Sequence, residues 1–419
     1  MTTRREFLKQ SAAWAGGAAL FGRTDRPGIN GAPLPGAGSA APSRVVSAAA
    51  DDMLVDGVYN PEAVGRAFAA GMKELSGEST AENAWASLFS PEDVVGIKIN
   101  CIGAPKISSS VASIRAAIAG LRSAGVKENN IIVWDRVDRE FQRTGLPLNK
   151  TTTGVRVMGA STLSEAVVPW VEGYDRSVFL SLEDGTLKKF KELVRDDFTR
   201  DADHRRIFNS VAWLWMLIRQ GNEKAKKYET EIRRLYTDYS DREGIKKIAE
   251  EVAHLFDEVT IEDEDKSFFA NIVTKDITKL VNIAVLKHNE DSGVTWAAKN
   301  IALGVTTNKV RFHIDYCARA IPEILAHPRL KDKMVLHIGE AAKISTVSVA
   351  GAHLAYDNRI FFSRDPVALD RIGLDLLEEK RRAQGLESIR AISTHVAACA
   401  RKGLGTDDLS RIDLRPVKA

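Results

Sequence analysis

Short apolar runs and amphipathic segments alternate along two stretches of the chain, and this alternation predicts an α/β fold. Residues 93–100 (DVVGIKIN) and 130–135 (NIIVWD) are rich in β-branched side chains, as expected of strands buried in a sheet. Between them, apolar side chains recur at helical spacing from Val111 to Leu121, after serines that can cap a helix. A strand, a helix and a second strand in this order predict a parallel unit.

The same pattern returns in the second stretch of the chain. Apolar runs at residues 279–289, 334–339 and 358–363 predict three more strands. A helix is predicted from about Pro366 to Gln384, with Asp365 as its N-cap and a glycine beyond its end. We therefore expect an α/β fold made of two α/β halves with a mostly parallel sheet.

Long, strongly charged helical patterns separate these two stretches, and we expect a helical insertion there. The charge run within it is typical of a solvated helix face. By residue number, the expected organisation is a signal and disordered linker (1–50), an N-terminal α/β half (51–183), the helical insertion (184–278) and a C-terminal α/β half (279–419). Within the N-terminal half, weaker strand patterns occur at residues 154–158 and 177–182.

The first residues, MTTRREFLKQ, match the pattern T-R-R-x-F-L-K of a twin-arginine export signal. The Ala/Gly-rich stretch at residues 11–22 is far shorter than the roughly 20 apolar residues that span a bilayer. Gly, Pro, Ala and Ser dominate residues 28–50, which predicts a disordered linker with cleavage options near Ala40 or Ala50. We expect passage through the twin-arginine translocase, a periplasmic or otherwise extracytoplasmic location, and no stable membrane insertion.

The charge balance of the chain does not indicate a nucleic-acid partner. The formal net charge is +3, and residues 1–50 contribute +4 to it through six basic and two acidic residues. The remaining residues therefore sum to −1, so the expected mature protein is nearly neutral. Such a chain is not expected to neutralise a phosphate backbone.

Polar side chains follow the first two predicted strands at the point where each strand ends. Lys98 and Asn100 lie on one face of the first strand, and Asp135 ends the next strand. Because the carboxyl ends of parallel strands meet at one edge of a sheet, these groups are expected to converge there. An ammonium, an amide and a carboxylate could orient an anionic or carbonyl substrate. A buried ion pair with a purely structural role explains the same residues equally well.

The segment VLKHNEDSGVTWAAKN, residues 285–300, combines a strand end, a glycine-containing loop and a helix start. The exposed amides of a helix start, together with lysines, favour a carboxylate or phosphate, so a small anionic ligand is expected here. The segment has neither the spacing of a phosphate-binding loop nor that of a dinucleotide fingerprint. Its candidate ligand groups are Lys287, His288, Thr295, Lys299 and Asn300.

Histidines and cysteines leave the question of a metal cofactor open. Five of the six histidines in the C-terminal half, namely His288, His313, His337, His353 and His395, are candidate ligands beside several carboxylates, but no pair has the spacing that places two ligands on one element. A divalent metal is therefore a hypothesis, and the metal-binding residues are unknown. The three cysteines are far apart and form no cluster motif, so no iron–sulfur cluster is expected. Cys101 could be a nucleophile, but a buried apolar role is the more common one.

Several short motifs occur in an order that resembles the family catalogued as domain of unknown function 362. They are GIKIN, the strand that ends in Asp135, LVNIAVLKHN, SGVTWAAKN, SRDPVALD and ACARKGLGTDDLSRIDL. The resemblance covers about residues 90–175 and 279–415. It implies a shared polar set, namely Lys98, Asn100, Asp135, Lys287, His288, Thr295, Lys299, Asn300, Asp365 and Asp370.

The chain departs from this family pattern in three places. Ile99 stands where the family usually has proline, His288 directly follows Lys287 with no threonine between them, and the helical segment looks like an addition. Many relatives also carry a ferredoxin-like segment with four-cysteine clusters, which this chain lacks. The resemblance therefore does not imply an iron–sulfur electron-transfer role here.

Three functions are compatible with these patterns. The first is an exported enzyme that acts on a small anionic substrate by proton transfer, as a lyase or isomerase and with or without a metal. In it, His288, Asp135 and Lys98 would be catalytic, and Asn100, Lys287, Thr295, Lys299 and Asn300 would bind substrate. The second is an extracytoplasmic protein that only binds an anion or a metal-bearing ligand. The third is an assembly scaffold built on the helical insertion.

Overall fold

The structure, a computed structural model, describes residues 42–162, 165, 169–182, 218, 223–230, 263, 265–351 and 353–419. Its strands are β1 (Ser43–Ala49), β2 (Leu54–Val55), β3 (Val58–Tyr59), β4 (Val95–Lys98), β5 (Ile131–Val137), β6 (Arg156–Ser161), β7 (Tyr174–Ser181), β8 (Lys266–Ala270), β9 (Lys279–Asn289), β10 (Gly293–Thr295), β11 (Met334–Ser345), β12 (Leu354–Tyr356), β13 (Arg359–Ser363) and β14 (Ile412–Lys418). Its α-helices are α1 (Pro61–Ser76), α2 (Ala81–Ala86), α3 (Val111–Ser123), α4 (Glu223–Lys226), α5 (Ala297–Val305), α6 (Ala320–Ala326), α7 (Pro328–Lys331), α8 (Pro366–Ala383) and α9 (Thr394–Arg401).

One large sheet organises the described part of the chain. Its strand order is β14-β1-β13-β11-β9-β4-β5-β6, with β10 paired to β9 and β12 paired to β11. Along this order β13 is antiparallel to both of its neighbours, and the other neighbouring pairs are parallel. The prediction of an α/β fold with a mostly parallel sheet is confirmed, and strands from both predicted halves share this sheet.

Helices cover both faces of the sheet because successive strand residues alternate between them. On one face, α1, α2 and α3 pack on residues such as Val281 and Ile283 of β9. On the other face, α5, α6, α8 and α9 pack on residues such as Ala284 and Leu286 of the same strand. The sequence of a strand that is buried on both faces is a nearly continuous apolar run. For this reason β9 was predictable over its whole length.

Local signals in the sequence place several element ends correctly. The Ser110 hydroxyl accepts a hydrogen bond from the Ser113 amide at 3.0 Å and begins α3. The Asp365 carboxylate accepts hydrogen bonds from the amides of Val367 at 2.8 Å and Ala368 at 2.9 Å, as predicted for an N-cap of α8. These signals are local, so they do not depend on the rest of the fold.

Three expectations differ from the structure. Residues 43–49, predicted to belong to a disordered linker, form β1 inside the large sheet. The weak strand predicted at 177–182 is β7, but it pairs with β8 in a separate antiparallel sheet. That partner, β8, lies within the predicted helical insertion, and most of that insertion lies outside the described residues.

None of the helices in the described segments combines the length and the apolar character needed to cross a bilayer.

Candidate functional site

The carboxyl ends of β4 and β5 bring Lys98 and Asp135 together, as their parallel pairing predicts. The Lys98 ammonium lies 2.7 Å from Asp135 Oδ1, and both side chains are buried. Asp135 Oδ2 also accepts a hydrogen bond from the Cys101 amide at 2.7 Å. Burial alone would raise the pKa of Asp135, but the charges of Lys98 and Arg136 outweigh it and hold this pKa below the usual range. Asp135 therefore suits orienting Lys98 better than accepting a proton near neutral pH.

A chain of amides connects this ion pair to β9 and α5. Asn300 Oδ1 accepts a hydrogen bond from Asn100 Nδ2 at 3.0 Å and lies 3.5 Å from the Lys98 ammonium. Asn300 Nδ2 in turn donates to Asn282 Oδ1 at 2.8 Å. Each amide in this chain is both a donor and an acceptor, so the network fixes the relative positions of β4, β9 and α5.

Lys287 is held by neutral oxygens. Its ammonium donates to Asn100 Oδ1 at 2.6 Å, to the Ile107 carbonyl at 3.1 Å and to the Ile102 carbonyl. An ammonium has only three N–H donors, and these three contacts use all of them. Lys287 therefore anchors the loop after β4, which weakens its interpretation as a ligand for a substrate anion.

The start of α5, predicted to hold an oxyanion, is capped by a carboxylate of the chain itself. Asp370 of α8 accepts hydrogen bonds from the amides of Ala297 at 2.6 Å and Ala298 at 3.0 Å. The side chain is fully buried, and burial raises the pKa of Asp370 to about 7 even though both amides favour its charged form. The expected anion site at these helix amides is thus wrong, because Asp370 already satisfies them.

Lys299 differs from Lys287 because it keeps donors without an acceptor. It is 5% exposed, and its ammonium donates to the Ser292 hydroxyl. Among the described residues its other two N–H groups have no partner, and no carboxylate forms an ion pair with it. Burial lowers the pKa of Lys299. The charge of Asp291 acts on Lys299 without forming an ion pair with it. A buried cation that no carboxylate pairs with directly is costly, and an anionic ligand would compensate it.

Arg381 of α8 is a second buried cation close to the same place. It donates to the Thr346 carbonyl and, at 3.0 and 2.8 Å, to the Glu387 carbonyl. Within the described ranges no carboxylate forms an ion pair with Arg381, although the charges of Glu378 and Glu387 act on it. Arg381 was not among the site residues predicted from the sequence, although a signal for it exists. One apolar stripe of α8 contains two charged residues, since its buried positions include Val367, Asp370, Leu374, Leu377 and Arg381.

His288, at the end of β9, lies in the field of these two cations. Its Nδ1 lies 2.5 Å from the Val347 carbonyl, which can only accept, so Nδ1 carries the proton and Nε2 has the free lone pair. Burial lowers the pKa of His288 to about 4, with further lowering by the charges of Arg381 and Lys299. The imidazole is therefore neutral near pH 7 and presents Nε2 as a base.

Thr295 lies on β10, opposite Lys287 in the hairpin register, so its side chain shares the sheet face of Lys287 and not that of His288. Its hydroxyl oxygen is buried and has no hydrogen-bond partner in the described part of the chain. We call Lys299, Arg381, His288 and Ser292 the Lys299 site. The structure thus separates an interlocked network of Lys98, Asn100, Asp135, Lys287 and Asn300, with Thr295 on the strand opposite Lys287, from the Lys299 site.

The hypotheses of a histidine metal site and a nucleophilic cysteine gain no geometric support. Within the described residues, no three His, Cys, Asp or Glu side chains are grouped closely enough to hold a metal ion. The three cysteines are buried free thiols. Burial raises the pKa of the Cys101 thiol well above its usual value, and the charge of Asp135 adds to this effect. Cys101 is therefore a protonated thiol, the unreactive form.

One family model matches part of the chain. No curated protein and no solved structure matches the chain. The match to a family model begins inside the predicted insertion and ends before the last predicted motif, so it includes Lys299 and His288 but not Lys98, Asp135 or Arg381. Over residues 219–375 the chain is similar to the family described as Domain of unknown function (DUF362), which confirms the predicted resemblance over residues 279–375 and does not support the view that residues 219–276 are an addition to the family pattern.

Proposed function

We propose that the protein is an enzyme that removes a proton from a small anionic substrate bound at the Lys299 site. The observation that carries this proposal is the pairing of two buried cations, Lys299 and Arg381, with a neutral imidazole whose tautomer is set by a backbone carbonyl. Buried cations that form no direct ion pair with a carboxylate favour binding of an anion, and a free Nε2 lone pair can accept a proton.

The proposed step is proton transfer from a carbon next to the substrate carboxylate. The C–H bond breaks, His288 Nε2 gains the proton, and the electron pair moves onto the carboxylate oxygens. Lys299 and Arg381 stabilise the negative charge that develops there. A bound anion also offsets the two charges that lower the pKa of His288, so binding raises this pKa toward the range in which histidine is an effective base.

The network of Lys98, Asp135, Asn100, Asn300 and Lys287 supports the site from the neighbouring strand ends. Asn300 adjoins Lys299 on α5, and its hydrogen bonds to Asn100 and Asn282 fix that helix against the sheet. In this proposal these residues position the helix that carries Lys299 and do not contact the substrate. A protein that only binds anions is the alternative, and the experiment below separates the two.

The test measures binding and hydrogen exchange on the same panel of small carboxylates. Calorimetry gives affinities, and proton NMR in D2O follows exchange at the carbon next to the carboxylate. We expect the native chain to bind and exchange at least one member, and His288→Gln to bind it but exchange it about 100-fold more slowly. Lys299→Met should lose binding, whereas Lys331→Met, which removes an exposed lysine, should match the native chain.

Two results would contradict this proposal. Binding without exchange in the native chain would identify a binding protein. Unchanged binding in the Lys299→Met variant would show that the anion lies elsewhere.

We also propose that the protein is exported through the twin-arginine translocase to a periplasmic or otherwise extracytoplasmic location. The support is the paired Arg4 and Arg5 within the T-R-R-x-F-L-K pattern. In a host that has this translocase, replacing both arginines by lysine is expected to retain the chain in the cytoplasm. Fractionation and immunoblotting measure this, with Lys9→Arg as the charge-matched control. Equal export of the double variant and the native chain would exclude this route.

A further inference from the structure

The side chains of the Lys299 site are closed off from solvent. Lys299, Arg381, His288 and Ser292 are each at most 7% exposed. A ligand from solution does not reach groups with so little accessible surface while the surrounding chain stays in place. Binding at this site therefore requires one segment of the chain to move aside and then to return.

The segment that covers this site is the connection between β11 and β12. Its Thr346 carbonyl accepts a hydrogen bond from Arg381, and its Val347 carbonyl lies 2.5 Å from His288 Nδ1. Because β11 and β12 pair as an antiparallel hairpin, both ends of the connection are attached to the sheet at one place. We call residues 346–351 of this connection the strap.

The strap crosses the carboxyl end of β9 from one face of the sheet to the other. His288 lies on the face that α5 and α8 cover, and Lys287 lies on the opposite face, where it holds the loop after β4. The far end of the strap packs on that loop. A Cβ added to Gly351 of the strap would lie 2.6 Å from Cγ2 of Ile107 in the loop. The strap therefore contacts the Lys299 site at one end and the loop after β4 at the other.

The attachment to the loop after β4 consists of close packing and not of hydrogen bonds. The backbone φ is +76° at Gly351 and +90° at Gly103, and a Cβ added to Gly103 would lie 2.7 Å from the Val349 carbonyl oxygen. Over the described ranges no hydrogen bond joins the strap to this loop. The contact depends on two positions that glycine fills without strain, and it separates without breaking a hydrogen bond.

We propose that the strap is a lid over the Lys299 site, which separates from the loop after β4 to admit the substrate and closes before proton transfer. Closure places the Val347 carbonyl on His288 Nδ1, and this contact leaves Nε2 as the base. Opening removes that contact and the contact of Thr346 with Arg381. Proton transfer is thereby confined to the closed state, from which water is excluded. This inference rests on the proposed function, because it takes the Lys299 site as the place of binding.

The reactivity of His288 measures opening of the strap without any substrate. Diethyl pyrocarbonate modifies accessible neutral imidazole rings, and mass spectrometry of digested samples gives the rate of modification at each histidine of the full chain. In Gly351→Ala the added Cβ clashes with Ile107 in the closed strap, and alanine is strained at this φ, so we expect modification of His288 to be about tenfold faster. Gly403→Ala is the matched control, since Gly403 has a φ of +75° but no atom lies within 4 Å of its added Cβ. This control should match the native chain.

A disulfide that fastens the strap to the loop after β4 makes the opposite test. The Cβ added to Gly351 would lie 3.4 Å from Lys106 Cβ, close to the roughly 3.5–4.5 Å between the Cβ atoms of a disulfide. In the oxidised double variant Lys106→Cys, Gly351→Cys, we expect modification of His288 to be at least about tenfold slower than in its reduced form. The exposed His353 provides a reference rate in each sample and should not change.

The outcomes separate the lid from the proposed function. Equal rates at His288 in the native chain and in folded Gly351→Ala would overturn the lid, even if the native chain exchanges a carboxylate. Equal rates in the oxidised and reduced double variant would overturn it as well, so either variant decides the question if the other does not fold. Changed rates at His288 in a chain that exchanges no carboxylate would support the lid and reject the proposed chemistry. Where exchange occurs, oxidation of the double variant should stop it and reduction should restore it.

Discussion

A chain that begins at Asp51 is expected to lose its native fold, whereas a chain that begins at Pro42 is expected to keep it. The difference is β1, which lies between β13 and β14 in the large sheet. It pairs with β13 over five residues and with β14 over seven. Without β1, the edge of β13 is unpaired and β14 loses its partner strand.

The packing of β1 indicates the size of this effect. Val45, Val46 and Ala48 are 0% exposed. Burial of one such valine contributes roughly 2 kcal/mol. Together with the hydrogen bonds on both sides of the strand, the loss is on the order of the 5–15 kcal/mol that stabilises a typical domain. Ser43 adds a hydrogen bond from its hydroxyl to Asp365, the N-cap of α8, at 2.6 Å.

Urea unfolding followed by circular dichroism compares the two truncated chains with the full chain. A cooperative transition of similar midpoint in the chain that begins at Asp51 would show that β1 is dispensable. The result also bears on processing of the predicted signal. A cut near Ala40 preserves β1, whereas a cut near Ala50 removes it, so we expect the mature chain to begin before Ser43.

Stability is expected to fall steeply as the pH is lowered from 7 to 5. His288, His337 and His395 are at most 7% exposed, and burial lowers their pKa values to about 4, about 3 and about 3. The unfolded chain binds protons on these residues near pH 6.5, and the folded chain does not. Their contribution to stability is therefore present above pH 6.5 and is lost as the pH falls toward these lower values.

The expected loss is several kilocalories per mole. At pH 5 each of the three histidines lowers the free energy of unfolding by about 2 kcal/mol relative to its value at pH 7. Asp370 acts in the opposite direction, because its pKa is raised to about 7 and its contribution is lost as the pH rises through that value. Between pH 7 and pH 5 Asp370 adds about 2 kcal/mol to the free energy of unfolding, so the expected net loss in this free energy is about 4 kcal/mol.

Urea unfolding at pH 7 and pH 5 measures this change. His337 is the most informative position, because its Nδ1 faces the Asn282 amide group at 3.4 Å and its Nε2 has no partner among the described residues. His337→Gln should reduce the pH dependence by about half, because it removes about 2 kcal/mol of the net loss of about 4 kcal/mol, whereas His353→Gln, at an exposed position, should not change it. Equal stability of the native chain at the two pH values would contradict the buried neutral state of these rings.

Much of the fold was predictable because strand and helix signals are local. The β9 strand was predicted over its whole length, since a run of apolar residues buried on both faces has few other interpretations. The cap of α8 at Asp365 depends only on neighbouring residues. The meeting of Lys98 and Asp135 followed from the parallel pairing of two strands that are close together in the sequence.

The functional site was predictable only in part because residue type does not show which partners a side chain will have. Lys287 and Lys299 are equivalent in the sequence, but one is held by three neutral oxygens and the other keeps free donors. Asp370 and Arg381 lie on an apolar stripe of α8, a signal of burial that does not show what each will contact.

The sequence by itself determined the α/β class, the positions of the main strands, the cap of α8 and the polar residues at the strand ends. Each of these follows from periodicity or from contacts between near neighbours. Only the tertiary structure decided that residues 43–49 form a strand in the large sheet, that Asp370 occupies the start of α5 and that the charges of Lys299 and Arg381 both act on His288. These features depend on contacts between residues far apart in the chain, whose partners are set by the packing of the whole sheet and its helices.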